Sequence, residues 1–242
     1  MLATPVASRE FLDMYTQRER TNPRMSLNKL GEYLSAPLPG RRSTIIKEQR
    51  EPKDFIVARY AKAEQAIKAY FTIHRPNTDQ LQRAIASLSA MANQESWEGQ
   101  TADLCTQALI SFLNIAEQVP TNGYTPVEGE NSVPKMSLAG MDVSVRPEVL
   151  LTDSESGAIV GGIKLYLGKT HPLSDEAMPI VGTVLYRYLA EILSSEASVK
   201  PHNCFVVDVF AGKVVHAPKA YKRNMQHVQA ACTEIATLWL AA

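Results

Sequence analysis

The sequence predicts an α/β protein of the α+β type, with a helical N-terminal region followed by a mixed-sheet core. In the first half of the chain, apolar residues recur at intervals of three and four, the period of a helix with one buried face. From Met141 onwards they alternate with polar residues or form short continuous runs, which is typical of strands. The 242 residues are 45% apolar and 21% charged, so the chain can bury a core and does not have the composition of a disordered protein.

The N-terminal region, residues 1–119, is predicted to be helical. One helix covers residues 26–35, while prolines and a glycine indicate irregular structure in the rest of the segment 1–53. A second helix begins near Pro52, because proline suits the first turn of a helix. Asn77 is a suitable N-cap for a third helix.

A fourth helix covers residues 101–118 and ends before Pro120. The segment 120–137 holds three prolines and two glycines, and it is predicted to be a linker loop. This loop separates the helical region from an α/β core in residues 138–242. The helix 101–118 is expected to pack with that core.

The core is predicted to contain a sheet flanked by helices. Pro147 separates two strands, and the sequence SESG supplies a turn before a third. The predicted elements in chain order are the helix 101–118, strands at 141–145, 148–153 and 158–167, a helix at 175–195, strands at 204–210 and 214–217, and a last helix after Pro218.

Charge and cysteine content narrow the classes of function. Lys plus Arg and Asp plus Glu both total 25, so any contact with nucleic acid must come from a local basic patch. No apolar run approaches the roughly 20 residues that span a bilayer, and the N-terminus does not resemble a secretory signal. Three cysteines without a CxxC pair argue against a disulfide framework. A cytoplasmic protein without membrane contact is therefore expected.

Two short motifs lie on consecutive predicted strands. Pro-Glu at 147–148 opens one strand, and Gly-Ile-Lys at 162–164 lies in the middle of the next. With the order of elements around them, residues 101–242 resemble the core of the PD-(D/E)XK nuclease-like superfamily, in particular its RecB-like branch. That family has Pro-Asp at the first motif and Asp/Glu-x-Lys at the second, within an α-β-β-β-α-β core.

Tyr186 extends the resemblance into the following helix. The RecB-like branch has Gln-x-x-x-Tyr there, and Gly182 stands where the glutamine would be. The resemblance implies catalytic roles for Glu148, Lys164 and Tyr186, with Mg²⁺ as the cofactor if the protein is active. It also predicts that Glu148 and the Lys164 ammonium lie in one concavity on adjacent strands.

The second motif lacks its acid, because Gly162 stands at that position. A Mg²⁺-dependent nuclease holds its metal with several oxygen ligands, and the metal polarises the phosphate and helps to produce hydroxide. Asp142 and Glu117 are the candidate replacement ligands beside Glu148. If a carboxylate is all that is missing, Gly162→Asp is expected to restore metal binding.

Purely structural interpretations of these residues stay open. Glu148 is then a surface acid at the start of a strand, and Lys164 extends its ammonium to solvent from an apolar strand. The glycine pair at 161–162 then marks a bulge or a close backbone approach. Tyr186, at helical spacing, is then a core residue.

A basic stretch in the N-terminal region is the candidate nucleic-acid interface. It has five basic residues against two acidic ones, and basic side chains near a helix start can bind phosphates. An ordinary solvated segment is the alternative. The surrounding segment 41–75 resembles part of bacterial proteins of unknown function. The basic residues are Arg41, Arg42, Lys47, Arg50 and Lys53.

Three functions are compatible with the sequence. The first is a nucleic-acid-associated protein of a bacterium or a mobile element, such as a defence protein, that binds DNA or a protein partner without cleaving DNA. The second is an active Mg²⁺-dependent nuclease with a relocated acid. The third is a protein-interaction or scaffold module, for example a homo-oligomer, that uses the same fold.

Overall fold

The computed structural model describes residues 20–52, 59–73, 77–195 and 197–241. Within these ranges the chain forms seven α-helices and eight β-strands, which confirms the predicted α+β class. The helices are α1 (Leu27–Ser35), α2 (Pro39–Arg50), α3 (Ala61–Thr72), α4 (Thr78–Ala92), α5 (Trp97–Leu113), α6 (Ala177–Tyr188) and α7 (Lys222–Ala241). The strands are β1 (Arg24–Ser26), β2 (Tyr124–Glu128), β3 (Met136–Leu138), β4 (Met141–Ser144), β5 (Val149–Asp153), β6 (Ile159–Tyr166), β7 (Cys204–Asp208) and β8 (Lys213–His216).

The strands form two mixed sheets. The larger sheet has the order β2-β5-β6-β7-β8, with β6 and β7 parallel and the other neighbours antiparallel. The smaller sheet has the order β1-β4-β3, with β1 parallel to β4. Helix α6 lies between β6 and β7 in the chain, as a parallel pairing requires a crossover connection.

Helices cover both faces of the larger sheet. On one face, α3, α4 and α5 share a core with alternate residues of the central strands, such as Val149, Ile163 and Val207. On the other face, α1, α2, α6, α7 and the small sheet enclose a second core that includes Tyr166 and Val206. All five residues of β7 are buried, as expected for a strand covered on both sides.

Side-chain caps begin α1 and α4, and the cap of α4 is the Asn77 that the sequence predicts. The Ser26 hydroxyl accepts a hydrogen bond from the Lys29 N–H at the start of α1, and the Asn77 side chain accepts one at the start of α4. The predicted helix 101–118 is α5, which ends at Leu113 and is followed by a 3₁₀ turn. None of the helices in the four described ranges combines the length and apolarity needed to cross a membrane.

Helix α2 corrects the prediction of irregular structure before residue 53. Pro39 occupies the first turn of α2, where its missing N–H leaves no hydrogen bond unmade. Ile45 and Ile46 bury the inner side of this helix. The proline therefore marks a helix start here. The helix expected from Pro52 begins at Ala61 instead, and residues 53–58 lie outside the described ranges.

Strand β2 corrects the prediction that segment 120–137 is only a linker. It forms one edge of the larger sheet and pairs with β5, Pro126 lying opposite Leu151. An edge strand tolerates a proline because one side of its backbone needs no partner. The predicted strand at 141–145 is β4, but it lies in the small sheet, so β2 takes its expected place beside β5.

The turn between β3 and β4 stores a small amount of backbone strain. Ala139 and Gly140 both have positive φ, +46° and +81°, as a two-residue hairpin turn requires. Alanine is unfavourable there, whereas asparagine tolerates this conformation. We expect Ala139→Asn to raise the free energy of unfolding by about 0.5–1 kcal/mol. Urea denaturation measures this change, and a variant no more stable than the parent would contradict the turn geometry.

Candidate functional site

The candidate site is a notch in the larger sheet, at the point where β5 begins. The Glu148 N–H still donates to the Ile163 carbonyl, 3.0 Å away, but the chain before it turns away from β6. Two residues further along β6, Leu165 directs its backbone groups to the same side. The Glu148 carboxylate accepts from the Leu165 N–H at 2.6 Å, and the Asn28 amide donates to the Leu165 carbonyl at 3.0 Å. Side chains therefore replace a neighbouring strand at this notch.

Lys164 and Glu148 form a buried ion pair in the notch. The Lys164 ammonium lies 2.5 Å from Glu148 Oε1 and 2.8 Å from the Arg146 carbonyl oxygen. Only 7% of the Lys164 side chain and 10% of the Glu148 side chain are exposed. The predicted proximity of these two residues is thus confirmed, with Lys164 in β6 and Glu148 immediately before β5, although Glu148 is not among the residues that line the cleft described below. Their catalytic roles stay predictions.

Burial dominates the ionisation of Glu148. Loss of hydration raises the pKa of this carboxyl above its usual range, and the charge of Glu64 acts in the same direction. The Lys164 ammonium and the Leu165 N–H oppose the increase without cancelling it. Glu148 is therefore costly to ionise unless Lys164 is present beside it.

Arg146 adopts an unusual backbone conformation that completes the notch. Its φ is +41°, a left-handed conformation that is unfavourable for residues other than glycine, asparagine and aspartate. This conformation accompanies the contact between its carbonyl oxygen and Lys164, while its side chain is exposed. A glycine would satisfy the backbone more easily, so the arginine at this position calls for a role of its side chain.

A basic cleft opens above Lys164, with a volume of about 450 Å³. The small sheet and α1 form its walls, because β1 pairs with β4 and places Arg24 opposite Asp142. Six cationic side chains and one carboxylate, Asp142, line the cleft. The cationic residues are Arg20, Arg24, Lys29, Lys135, Arg146 and Lys164.

Three of these cations have no carboxylate partner among the described residues. Lys29, Lys135 and Lys164 form ion pairs with Glu32, Asp142 and Glu148 respectively. By contrast, none of the ion pairs found in the described ranges includes Arg20, Arg24 or Arg146. Burial, and in addition the charge of Arg24, lowers the pKa of the Arg20 guanidinium. Repulsion between neighbouring cations makes the cleft attractive to an anion.

The other predicted acids do not join Glu148 at the notch. Asp142 lies in the cleft wall and pairs with Lys135 at 3.4 Å. Glu117 is exposed in the 3₁₀ turn after α5. On the other side of Glu148, Lys68 lies between Glu128 at 2.6 Å and Glu64 at 3.8 Å. No group of three metal-binding side chains occurs in the part of the chain that the structure describes.

Gly162 is crowded by its neighbours. A Cβ atom at this position would lie 3.0 Å from the Val149 carbonyl oxygen and 3.1 Å from a methyl group of Leu189. Both distances are shorter than ordinary contacts of a Cβ atom. Because this crowded position has no carboxylate and Glu148 is engaged by Lys164, the residues present do not fit the Mg²⁺ site that the resemblance implies.

Tyr186 lies away from the notch. It is 7% exposed on α6, and its ring centroid lies 5.2 Å from that of Tyr221. It is not among the residues that line the cleft. The core interpretation of Tyr186 therefore describes its surroundings better than the catalytic one.

The basic stretch is largely engaged in contacts within the protein. Arg41 pairs with Glu32 and with Glu48, and Arg42 donates to the Ala36 carbonyl and stacks over Tyr33. Arg50 donates to the Trp239 carbonyl, Lys47 is exposed, and Lys53 lies outside the described residues. Replacing the three arginines would thus disturb packing, and Lys47 is the cleaner test of this predicted interface.

Sequence reasoning missed most of the cleft. Arg20 and Arg24 belong to the part of the segment 1–53 that is predicted to be irregular, and Arg24 meets Arg146 only because β1 pairs with β4 over more than a hundred residues. The one local signal is the arginine beside Pro147. Comparison with protein-family models finds no match for the chain, and comparison with curated proteins finds no significant match.

Proposed function

We propose that this protein binds the phosphates of a nucleic acid in the basic cleft above Lys164. We also propose that it does not cleave the nucleic acid by a metal-dependent mechanism. The observation that carries the proposal is the charge of the cleft, in a protein of zero net charge. Three of its six cations are paired with carboxylates, and the other three, Arg20, Arg24 and Arg146, have no carboxylate partner among the described residues. Positive charges that line a concave surface strengthen the electrostatic field in the cleft and attract a polyanion. Guanidinium groups suit phosphate because they donate two parallel hydrogen bonds.

The order of elements supports the resemblance to the PD-(D/E)XK core. Helix α5, strands β2, β5 and β6, helix α6 and strand β7 follow one another in the chain, with the β3–β4 hairpin inserted between β2 and β5. The four strands are neighbours in that same order in the larger sheet. The lack of a carboxylate at the crowded position of Gly162 and the engagement of Glu148 by Lys164 support binding without cleavage. The buried free cysteines agree with the cytoplasmic location we propose.

Replacing two cleft arginines tests the proposal. We expect Arg24→Ala with Arg146→Gly to weaken binding of a short single-stranded DNA. Each lost phosphate contact should flatten the log–log salt dependence by about 0.7, or about 1.4 for the pair. Fluorescence anisotropy over a range of salt concentrations measures both effects, and a gel of the same samples with Mg²⁺ or Mn²⁺ should show intact DNA.

The matched control removes the same charge elsewhere. Arg83 in α4 and Lys219 before α7 are both exposed and lie outside the cleft, so Arg83→Ala with Lys219→Ala should leave the salt dependence unchanged. Because Arg146→Gly relieves a left-handed residue, it should alter the free energy of unfolding by no more than about 1 kcal/mol. Equal loss of binding in both double variants, or DNA cleavage by the parent, would contradict the proposal.

A further inference from the structure

The basic cleft has the size of a site for one small group. Its volume of about 450 Å³ lies in the range of about 300–1,000 Å³ that is usual for small-ligand pockets. A protein that grips the side of a duplex instead spreads its contacts over about 1,000–2,500 Å² of surface. Six cations from separate chain segments converge on this cleft, and the arginines of the candidate stretch in α2 are engaged internally.

The charge of the cleft favours an anion with more than one negative charge. Arg20, Arg24 and Arg146 line it without a carboxylate partner in the described ranges, and Lys164 lies below them. An internal phosphodiester carries a single charge, whereas a phosphate monoester carries about −1.5 to −2 at neutral pH and has three acceptor oxygens. Several guanidinium groups are satisfied better by the monoester, because each takes two oxygens in a bidentate contact.

We infer that the cleft receives the terminal phosphate monoester of a nucleic-acid strand, so that the protein recognises a strand end. This inference rests on the proposed function and specifies its ligand. The exposed Arg146 side chain and Arg24 would contact the phosphate, while the ion pair of Lys164 with Glu148 holds the floor of the cleft. Arg146 would retain its unfavourable backbone conformation because this conformation places the guanidinium over the cleft.

The test compares oligonucleotides that differ only at their ends. Three single-stranded DNAs of one sequence carry a 5′-phosphate, a 3′-phosphate or hydroxyl groups at both ends, with an internal fluorophore for anisotropy. We expect one of the phosphorylated strands to bind roughly tenfold or more tightly than the hydroxyl-ended strand. Arg24→Ala and Arg146→Gly should each abolish that preference, and Arg83→Ala should preserve it.

The outcomes separate this inference from the proposed function. Equal affinity for all three strands would overturn the strand-end inference and leave nucleic-acid binding intact. No binding of any strand would overturn both. Competition by inorganic phosphate or a mononucleotide at the same concentration as the phosphorylated strand would show a site for free phosphate monoesters, which also overturns recognition of a strand end.

Discussion

Replacing Lys164 by methionine should lower the free energy of unfolding by about 3–5 kcal/mol near neutral pH, because removing one partner of a buried ion pair leaves an uncompensated charge. The methionine keeps much of the volume of the lysine stem, so the loss reports mainly the stranded Glu148 carboxylate. That carboxylate keeps its hydrogen bond from the Leu165 N–H and loses the ammonium 2.5 Å away. Denaturation in urea, followed by circular dichroism, measures the change.

The pH dependence of this variant identifies Glu148 as the cause. Burial already raises the pKa of Glu148, and removing Lys164 takes away the charge and the hydrogen bond that lower it. A carboxyl with a folded-state pKa above its unfolded value is most stabilising below the unfolded value, and that contribution is lost as pH rises through the folded value. The difference in the free energy of unfolding between Lys164→Met and the parent should thus shrink in mild acid and grow toward alkaline pH.

Two further variants control for the loss of a lysine. Glu148→Gln combined with Lys164→Met removes both charges, and the glutamine can still accept from the Leu165 N–H, so the double variant should be more stable than Lys164→Met alone. Lys213→Met breaks a pair of similar length, 2.6 Å to Asp175, whose side chains are 47% and 76% exposed. It should have little effect, since exposed pairs contribute little. A double variant less stable than Lys164→Met would contradict the stranded-charge explanation.

The ion pair can be predicted from the sequence because the two strands that hold it are joined by a short turn, which fixes their register. The sequence SESG joins β5 to β6 by a short turn, and the pairing of Val149 with Ile163 brings the preceding glutamate beside Lys164. Strands β6 and β7 could also be predicted from the sequence, because burial on both faces gives each of them a continuous apolar run. What these residues contact could thus be inferred from the chain around them.

The basic cleft could not be predicted, because distant pairing forms it. Nothing near Arg24 indicates that β1 will pair with β4, and three-residue strands carry almost no periodic signal. Helix α2 and strand β2 each contain a proline, at Pro39 and Pro126, and in both cases position decides its effect. A proline in a first helical turn or on a sheet edge is compatible with regular structure. The sequence alone does not distinguish these positions from breaks.

Gly162→Asp is expected to destabilise the protein and to leave it without a metal site. The sequence presents this glycine as a missing ligand, so that an acid there would restore one. In the structure, a side chain at this position would be crowded by the Val149 carbonyl oxygen and by Leu189, at 3.0 and 3.1 Å from the Cβ position. An aspartate would also place a second carboxylate in a core where β6 is buried from Gly161 to Tyr166.

We expect Gly162→Asp to lower the free energy of unfolding by at least about 3 kcal/mol, the sum of overpacking and of burying a charge without a partner. Gly162→Ala isolates the first contribution, because it adds only the Cβ atom, and should cost about 1–3 kcal/mol. Urea denaturation of both variants gives the two contributions separately. Calorimetric titration of folded Gly162→Asp with Mn²⁺ should show no binding, since Lys164 already holds the one carboxylate of the notch.

The double variant Gly162→Asp with Leu189→Ala extends this test. Of the two atoms nearest the Cβ position, one belongs to the side chain of Leu189 and can be removed by mutation. Removing that methyl contact leaves the Val149 carbonyl oxygen in place, 3.0 Å from the Cβ position, where it still crowds the side chain, and the carboxylate is still buried without a partner. The double variant should therefore stay less stable than the parent with Leu189→Ala alone. A stable Gly162→Asp protein that binds Mn²⁺ and cleaves DNA would instead show that the notch opens to accept a ligand, and would favour the nuclease with a restored acid.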